Sequence, residues 1–345
     1  MKKRLAALLC TVCAAAMMAG CGTSGDTAAA ESTDAATEDT AEETGASEGT
    51  EDTASGENTD ITIGVSFGQN VHPFFVAMQK GIEDACSDYG VENYNFLAAD
   101  SSLETQNTQI ENLITMGSDV ILLNPYDSEG VVNSVASAVD QGVGVITMDI
   151  DCEGSTAYLA SDNYVIGQML ADYVIEQLGG EGKIAIIDGI TVSSLKDRTD
   201  GFMDTIADSN IEVVAEQQTA HARDTALSSA ENILQAHPDI DAFVGVNENS
   251  GMAILSAVTS ANLSDILITT VDATAENLVA IRDGKVAVGV SQDPYQMGYQ
   301  AVEQAIKWYN GEEIEEFVEI PVEYMTADNV QEFIDREESY GVEIE

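Results

Sequence analysis

Basic residues are scarce. Twelve Lys and Arg stand against 61 Asp and Glu, a formal net charge of −49. A phosphate-binding surface needs clustered Lys and Arg, and no basic run exists beyond Lys2-Lys3-Arg4, so nucleic acid is excluded as a partner. Docking on an anionic membrane by charge alone is excluded for the same reason. Cysteine is sparse as well, with five in the chain, and no Cys-x-x-Cys, His-Glu-x-x-His or calcium-loop pattern is present. The three histidines lack metal spacing, so neither a metal nor another cofactor is expected. What remains is 44% hydrophobic and 6% aromatic, the composition of a globular chain whose 345 residues suggest about two domains.

The single long apolar run lies at the N-terminus. Met1-Lys2-Lys3-Arg4 is followed by Leu5 to Ala19, too short for a comfortable membrane span, and then by small residues. Residues 1–20 read as a bacterial signal peptide. Met18-Ala19-Gly20-Cys21 resembles a lipoprotein processing site, with Met18 where Leu is usual, and implies a diacylglycerol on the Cys21 sulfur. Residues 22–60 contain no Leu, Ile, Val, Met or aromatic, and carry 12 acidic residues with no basic one. Such a segment cannot bury enough apolar surface to offset its ordering entropy, so residues 21–60 are expected to form a disordered acidic tether, about 35 Å long as a coil. A lipid at one end and a folded body at the other describe an extracytoplasmic protein that touches the membrane only through its anchor. Cys86 and Cys152 then remain, far apart in sequence and read as two buried thiols rather than a disulfide.

From residue 61 short β-branched runs alternate with longer amphipathic stretches. The strand-like runs are Ile61–Phe67, Tyr94–Ala98, Val120–Asn124, Val143–Asp149, Ala157–Ala160, Lys183–Asp188, Glu212–Gln217, Ala242–Asn247, Ile266–Asp272 and Val286–Ser291. Apolar strands with helices between them predict parallel sheets covered on both faces. Ten such units exceed one comfortable sheet, so the fold class is α/β with two doubly wound lobes. Ligands of such sheets bind outside the carboxyl ends of the strands. There the sequence sets Gln69 to Phe75, Asp149, Asn247, Asp272 and Gln292. Each polar residue alone also reads as a helix cap or turn former; their recurrence favours a shared polar pocket. Flat aromatics suit the C–H faces of a sugar, and planar Asp, Asn and Gln groups suit its hydroxyl rim.

Several segments carry a family likeness in order and spacing. Among them are His72-Pro73-Phe74-Phe75, Val120 to Pro125, Val145 to Asp149, Ala160-Ser161-Asp162-Asn163, Asp197 to Phe202, Val246-Asn247-Glu248, Val271-Asp272-Ala273 and Ser291-Gln292-Asp293-Pro294. Over about residues 61–325 the chain resembles the type I periplasmic binding proteins of sugar ABC transporters, the ribose-binding group above all. The resemblance implies two Rossmann-like lobes, 61–161 plus 293–321 and 162–292 plus 322–345, joined by a three-strand hinge at Ser161-Asp162, at Gln292-Asp293 and near Pro321. Phe74 and Phe75 match the aromatic pair that packs on the sugar ring. His72 falls where the family often has an Asn, and Asp149, Asn247, Asp272 and Gln292 match its polar contacts. Three positions depart from the ribose pattern: Ile150 stands where an Arg follows Asp149, a second Arg falls near Lys196, and a stacking aromatic falls near His221.

What is implied is a monomeric solute-binding lipoprotein, not an enzyme, that captures a small neutral sugar or sugar-like ligand and delivers it to an ABC transporter permease. The alternative is a receptor of the same fold that reports such a ligand to a membrane sensor. A transcription regulator would need a basic helix-turn-helix where this chain has its signal and acidic tether. Ser193-Ser194-Leu195-Lys196 and Ser161-Asp162-Asn163 contain fragments of a penicillin-recognising enzyme, but in reversed order and without the Lys-Thr-Gly that should follow. The body alone, residues 61–345, holds 49 acidic and 9 basic residues, a field that opposes an anionic ligand.

Overall fold

The structure, a computed structural model, describes residues 59–188, 192–219 and 223–344. The expected signal peptide, Cys21, nearly all of the tether, and His221 lie outside the described residues.

Two six-stranded sheets form, each wound in the same order. The first contains β1 (Thr62–Phe67), β2 (Asn93–Ala98), β3 (Val120–Asn124), β4 (Gly144–Met148) and β5 (Ala157–Ala160). The second contains β6 (Glu181–Asp188), β7 (Asn210–Gln218), β8 (Ala242–Gly245), β9 (Leu267–Val271) and β10 (Val288–Ser291). Two late strands complete them: β11 (Phe317–Glu319) adds parallel to β5, and β12 (Glu323–Met325) adds antiparallel to β10. The orders are β11-β5-β4-β3-β1-β2 and β12-β10-β9-β8-β6-β7, so β4 and β9 hold equivalent places. Every residue of β3 and β4 is buried, as a parallel sheet covered on both faces requires. All ten strand-like runs of the sequence are strands here. The two late strands were not among them: each has three residues, most of them exposed or half-buried, and so carries little apolar signal.

The chain passes between the sheets three times. Ser161 and Asp162 lie between β5 and helix α4 (Asn163–Leu178), whose Ile166 and Leu170 pack on Ile184 and Ile186 of β6. Gln292 and Asp293 lie between β10 and helix α9 (Pro294–Tyr309), whose Met297, Ala301 and Ile306 pack on the first sheet. Residues 320–322 join β11 to β12.

Each half has one helix crossing so close that only glycine fits. A Cβ on Gly298 of α9 would sit 2.1 Å from the Met78 carbonyl oxygen of α1 (Pro73–Tyr89), and one on Gly81 would sit 2.0 Å from that of Tyr295. In the second half a Cβ on Gly167 of α4 would sit 2.0 Å from the Arg198 carbonyl oxygen of α5 (Ser193–Ile206), and one on Gly201 would sit 2.1 Å from that of Tyr164. Cys86 and Cys152 are buried free thiols.

Candidate ligand site

A cavity of about 690 Å³ opens between the carboxyl ends of the two sheets. One wall begins at α1. Pro73 pre-sets the first helical turn, and His72 caps it by accepting the Phe74 N–H at Nδ1, 3.2 Å. That cap fixes where the chain turns from loop to helix, and so aims the two following aromatics. Phe74 is buried and Phe75 half-buried; their rings meet edge-to-face at 5.3 Å, with Phe67 behind Phe75 at 6.4 Å. Both line the cavity.

The carboxylates come from equivalent positions of the two sheets. Asp149 is the first residue past β4 and Asp272 the first past β9. Both adopt left-handed backbone, φ +64° and +79°. Asp tolerates that region better than most side chains, yet each still costs about 1 kcal/mol. Matching bonds hold them: Asp149 N–H donates to Leu159 O at 2.9 Å, and Asp272 N–H donates to Val290 O at 3.0 Å. The two side chains differ in their surroundings. Gln292 Nε2 donates to Asp272 Oδ1 at 2.7 Å, whereas Asn124 Nδ2 approaches Asp149 Oδ2 only to 3.5 Å. Burial raises Asp149 to about 7; the charge of Arg198 opposes this and that of Asp272 adds to it.

Asn247 reconciles two readings of one residue. Its Oδ1 accepts the Ser250 N–H at 2.9 Å and caps α7 (Glu248–Ser260), and the residue also lines the cavity. With the oxygen engaged in the cap, its amide NH₂ is the end left to meet a ligand. Next to it Glu248, buried, accepts a hydrogen bond from His72 Nε2 at 3.1 Å across the cavity. Burial disfavours the His72 cation, but the bond to Glu248 and the charges of Asp272, Glu248 and Asp149 together outweigh it and raise the ring above its ordinary 6.5.

The cavity thus brings together His72, Phe74, Phe75, Asp149, Asn247, Asp272 and Gln292. Lys196 is the correction. It is not in the wall: it points outward from α5 and pairs with Asp200 one turn on. The guanidinium in the wall is Arg198, two residues later and buried, donating through Nη1 to Val246 O and through Nη2 to Asn163 Oδ1. The helical period explains it. Leu195, Arg198, Thr199 and Phe202 share the buried face of α5, which turns Lys196 and Asp200 to solvent. Glu248, Arg198 and Arg223 were not expected from the sequence as site residues. Arg223 opens α6 (Arg223–Ala236) and forms a bidentate pair with Glu276 at the cavity. Ser161 and Asp293 do not line the cavity, and Asp162 and Asp293 cap α4 and α9 by accepting the N–H groups of Val165 and Gln296, each at 3.0 Å. Among the described residues no group of His, Cys, Asp or Glu is placed to hold a metal ion.

Comparison with known proteins agrees with this geometry. Residues 63–313 match the periplasmic binding protein domain. The ribose import binding protein RbsB of Bacillus subtilis is 33% identical over 275 residues, 79% of this chain and 89% of that one. Its Escherichia coli counterpart is 30% identical over 249 residues, 71% of this chain and 83% of that one. An ABC transporter solute binding protein from Bacillus halodurans, solved with bound myo-inositol, superposes with a TM-score of 0.76 at 30% identity, covering 82% of this chain and all of that one. These relatives are transport binding proteins and not enzymes, and the chain itself belongs to the type I periplasmic binding protein family.

Proposed function

We propose that this protein captures a small sugar or sugar-like ring between its two lobes and delivers it to the permease of an ABC importer. The observation that carries the reading is one wall of aromatic rings, Phe74 and Phe75, facing planar polar ends contributed by both sheets, Asp149, Asn247, Asp272 and Gln292. A ring laid on Phe75 exposes its rim hydroxyls to those groups, and any of them left unpaired on closure costs about 1–3 kcal/mol. The lobes, 61–161 plus 293–321 and 162–292 plus 322–345, close by rotation at Ser161-Asp162, Gln292-Asp293 and residues 320–322. Diacylglycerol on Cys21 and the acidic tether keep the monomer outside the cell at the membrane surface, next to its permease.

A thermal-shift screen of the full chain over aldopentoses, aldohexoses, cyclitols and nucleosides tests this. A micromolar ligand at millimolar concentration should raise Tm by several degrees. A shift with amino acids or peptides, and with no ring of the polyol class, would overturn the reading.

A further inference from the structure

The charges of the cavity wall do not balance. Four carboxylates line it, Asp149, Glu248, Asp272 and Glu276, and Arg223 cancels Glu276 in the bidentate pair at 2.8 and 2.5 Å. Three carboxylates then face Arg198 and His72. Nδ1 of His72 already accepts the Phe74 N–H, so a second ring proton would displace the helix cap. With a neutral His72 the wall holds two uncompensated negative charges, and with a protonated one it still holds one.

Hydrogen bonding shows the same deficit. Gln292 is 3% exposed, and its Oε1 is buried with no partner in the structure. Asp149 is 9% exposed, and Asn124 Nδ2 approaches its carboxylate only to 3.5 Å. What the cavity wall is short of is positive charge.

We propose that the ligand is a polyhydroxylated ring bearing a protonated amino group, an aminodeoxy sugar or an aminocyclitol, with its ammonium among Asp149, Asp272 and Gln292. The inference rests on the polyol reading above and replaces the neutral ring expected from the sequence. An ammonium brings three donors and a full charge on one atom, whereas a hydroxyl brings one donor and none. A buried carboxylate without a counter-charge holds its proton instead, and Asp149 does so up to about 7, mainly through burial. The charged groups that act on it are Arg198 of α5, Asp272 past β9 and His72 at the α1 cap. An ammonium exchanges for that proton, so its binding strengthens as the proton leaves.

The experiment is calorimetry on the full chain with glucosamine and an aminocyclitol, their neutral parents glucose and myo-inositol, and glucuronate. At least one amine should bind tenfold or more tighter than its parent at pH 7, gain affinity from pH 5 to 7, where the amine stays protonated, and release protons on binding at pH 6. Asp149→Asn should reduce the preference for the amine to twofold or less. Ile150→Arg, which adds a fixed cation beside Asp149, should shift preference toward the neutral ring and serves if the first variant folds poorly. Equal or tighter binding of the neutral parents overturns the amine and leaves the polyol reading standing. If no ring of either series binds, the amine falls, and the polyol reading is decided by the wider thermal-shift screen.

Discussion

His72 and Glu248 are 176 residues apart in the chain, and their side chains meet at 3.1 Å across the cavity. One caps a helix that packs on the first sheet; the other opens a helix that packs on the second. The bond therefore links the two halves across the cavity, and His72→Ala should weaken ligand binding by about 3- to 10-fold, the worth of one partly buried hydrogen bond. Adding Glu248→Gln to His72→Ala should cost little more. Additive losses measured by calorimetry would show that the two residues act separately.

Asp149 sets a trade between stability and binding. A carboxyl raised from 3.8 to about 7 by burial leaves the folded protein holding a proton the unfolded chain has lost. Its contribution is intact below pH 3.8 and falls away as pH rises through 7, by roughly 2–4 kcal/mol in all. Asp149→Asn, which keeps the left-handed backbone accessible, should match wild type in thermal melts near pH 4 and gain over it progressively to pH 7. The same variant should bind ligand more weakly. A melting curve with the wild-type pH slope would show that Asp149 ionises without cost.

Glu337 of helix α10 (Val330–Ser339) gives the matching control away from the cavity. Burial, aided by Asp293 and opposed by Arg336, pushes it to about 7. The sign is the same, so Glu337→Gln should stabilise the protein at pH 8 relative to pH 4. Ligand affinity should not move by more than about twofold, and a larger change would tie this helix to the site.

Lys196 and Arg198 should separate cleanly. Lys196→Ala removes an exposed pair with Asp200 and should change neither ligand affinity nor stability measurably. Arg198→Ala leaves Val246 O and Asn163 Oδ1 without their donor and should cost about 2–4 kcal/mol in a denaturant titration. Equal effects from the two would reverse the assignment made from the structure.

The glycine crossings predict a loss in either half. Gly167→Ala drives a methyl into the Arg198 carbonyl at 2.0 Å, and Gly298→Ala does the same at Met78 at 2.1 Å. Each should destabilise by about 1–3 kcal/mol or more. Both should also weaken ligand binding measured by calorimetry, because Gly167→Ala displaces the backbone that carries Arg198 and Gly298→Ala displaces that of α1, which carries Phe74 and Phe75.

The sequence made the strands legible because parallel sheets buried on both faces write themselves as unbroken apolar runs such as Val120–Asn124. The strand ends then located Asp149, Asp272 and Gln292, since polarity that begins where an apolar strand stops is a local signal. The place of Arg198 in the wall was equally readable from the period of α5, with Leu195 and Phe202 on its face. Glu248 and Arg223 were not readable. Their partners, His72 and Glu276, lie 176 and 53 residues away, and no local pattern couples such distances.

The twin aspartates, each one step past an equivalent strand, give the protein the logic of a coincidence detector. Each half offers one carboxylate to the cavity between them, so under the proposed reading neither half alone surrounds a ring. A molecule that answers one of them leaves the other waiting, so the closed shape reports both matches at once rather than the better of two. Each half can therefore drift in sequence to try a new substituent while its twin keeps hold of the rest of the ring.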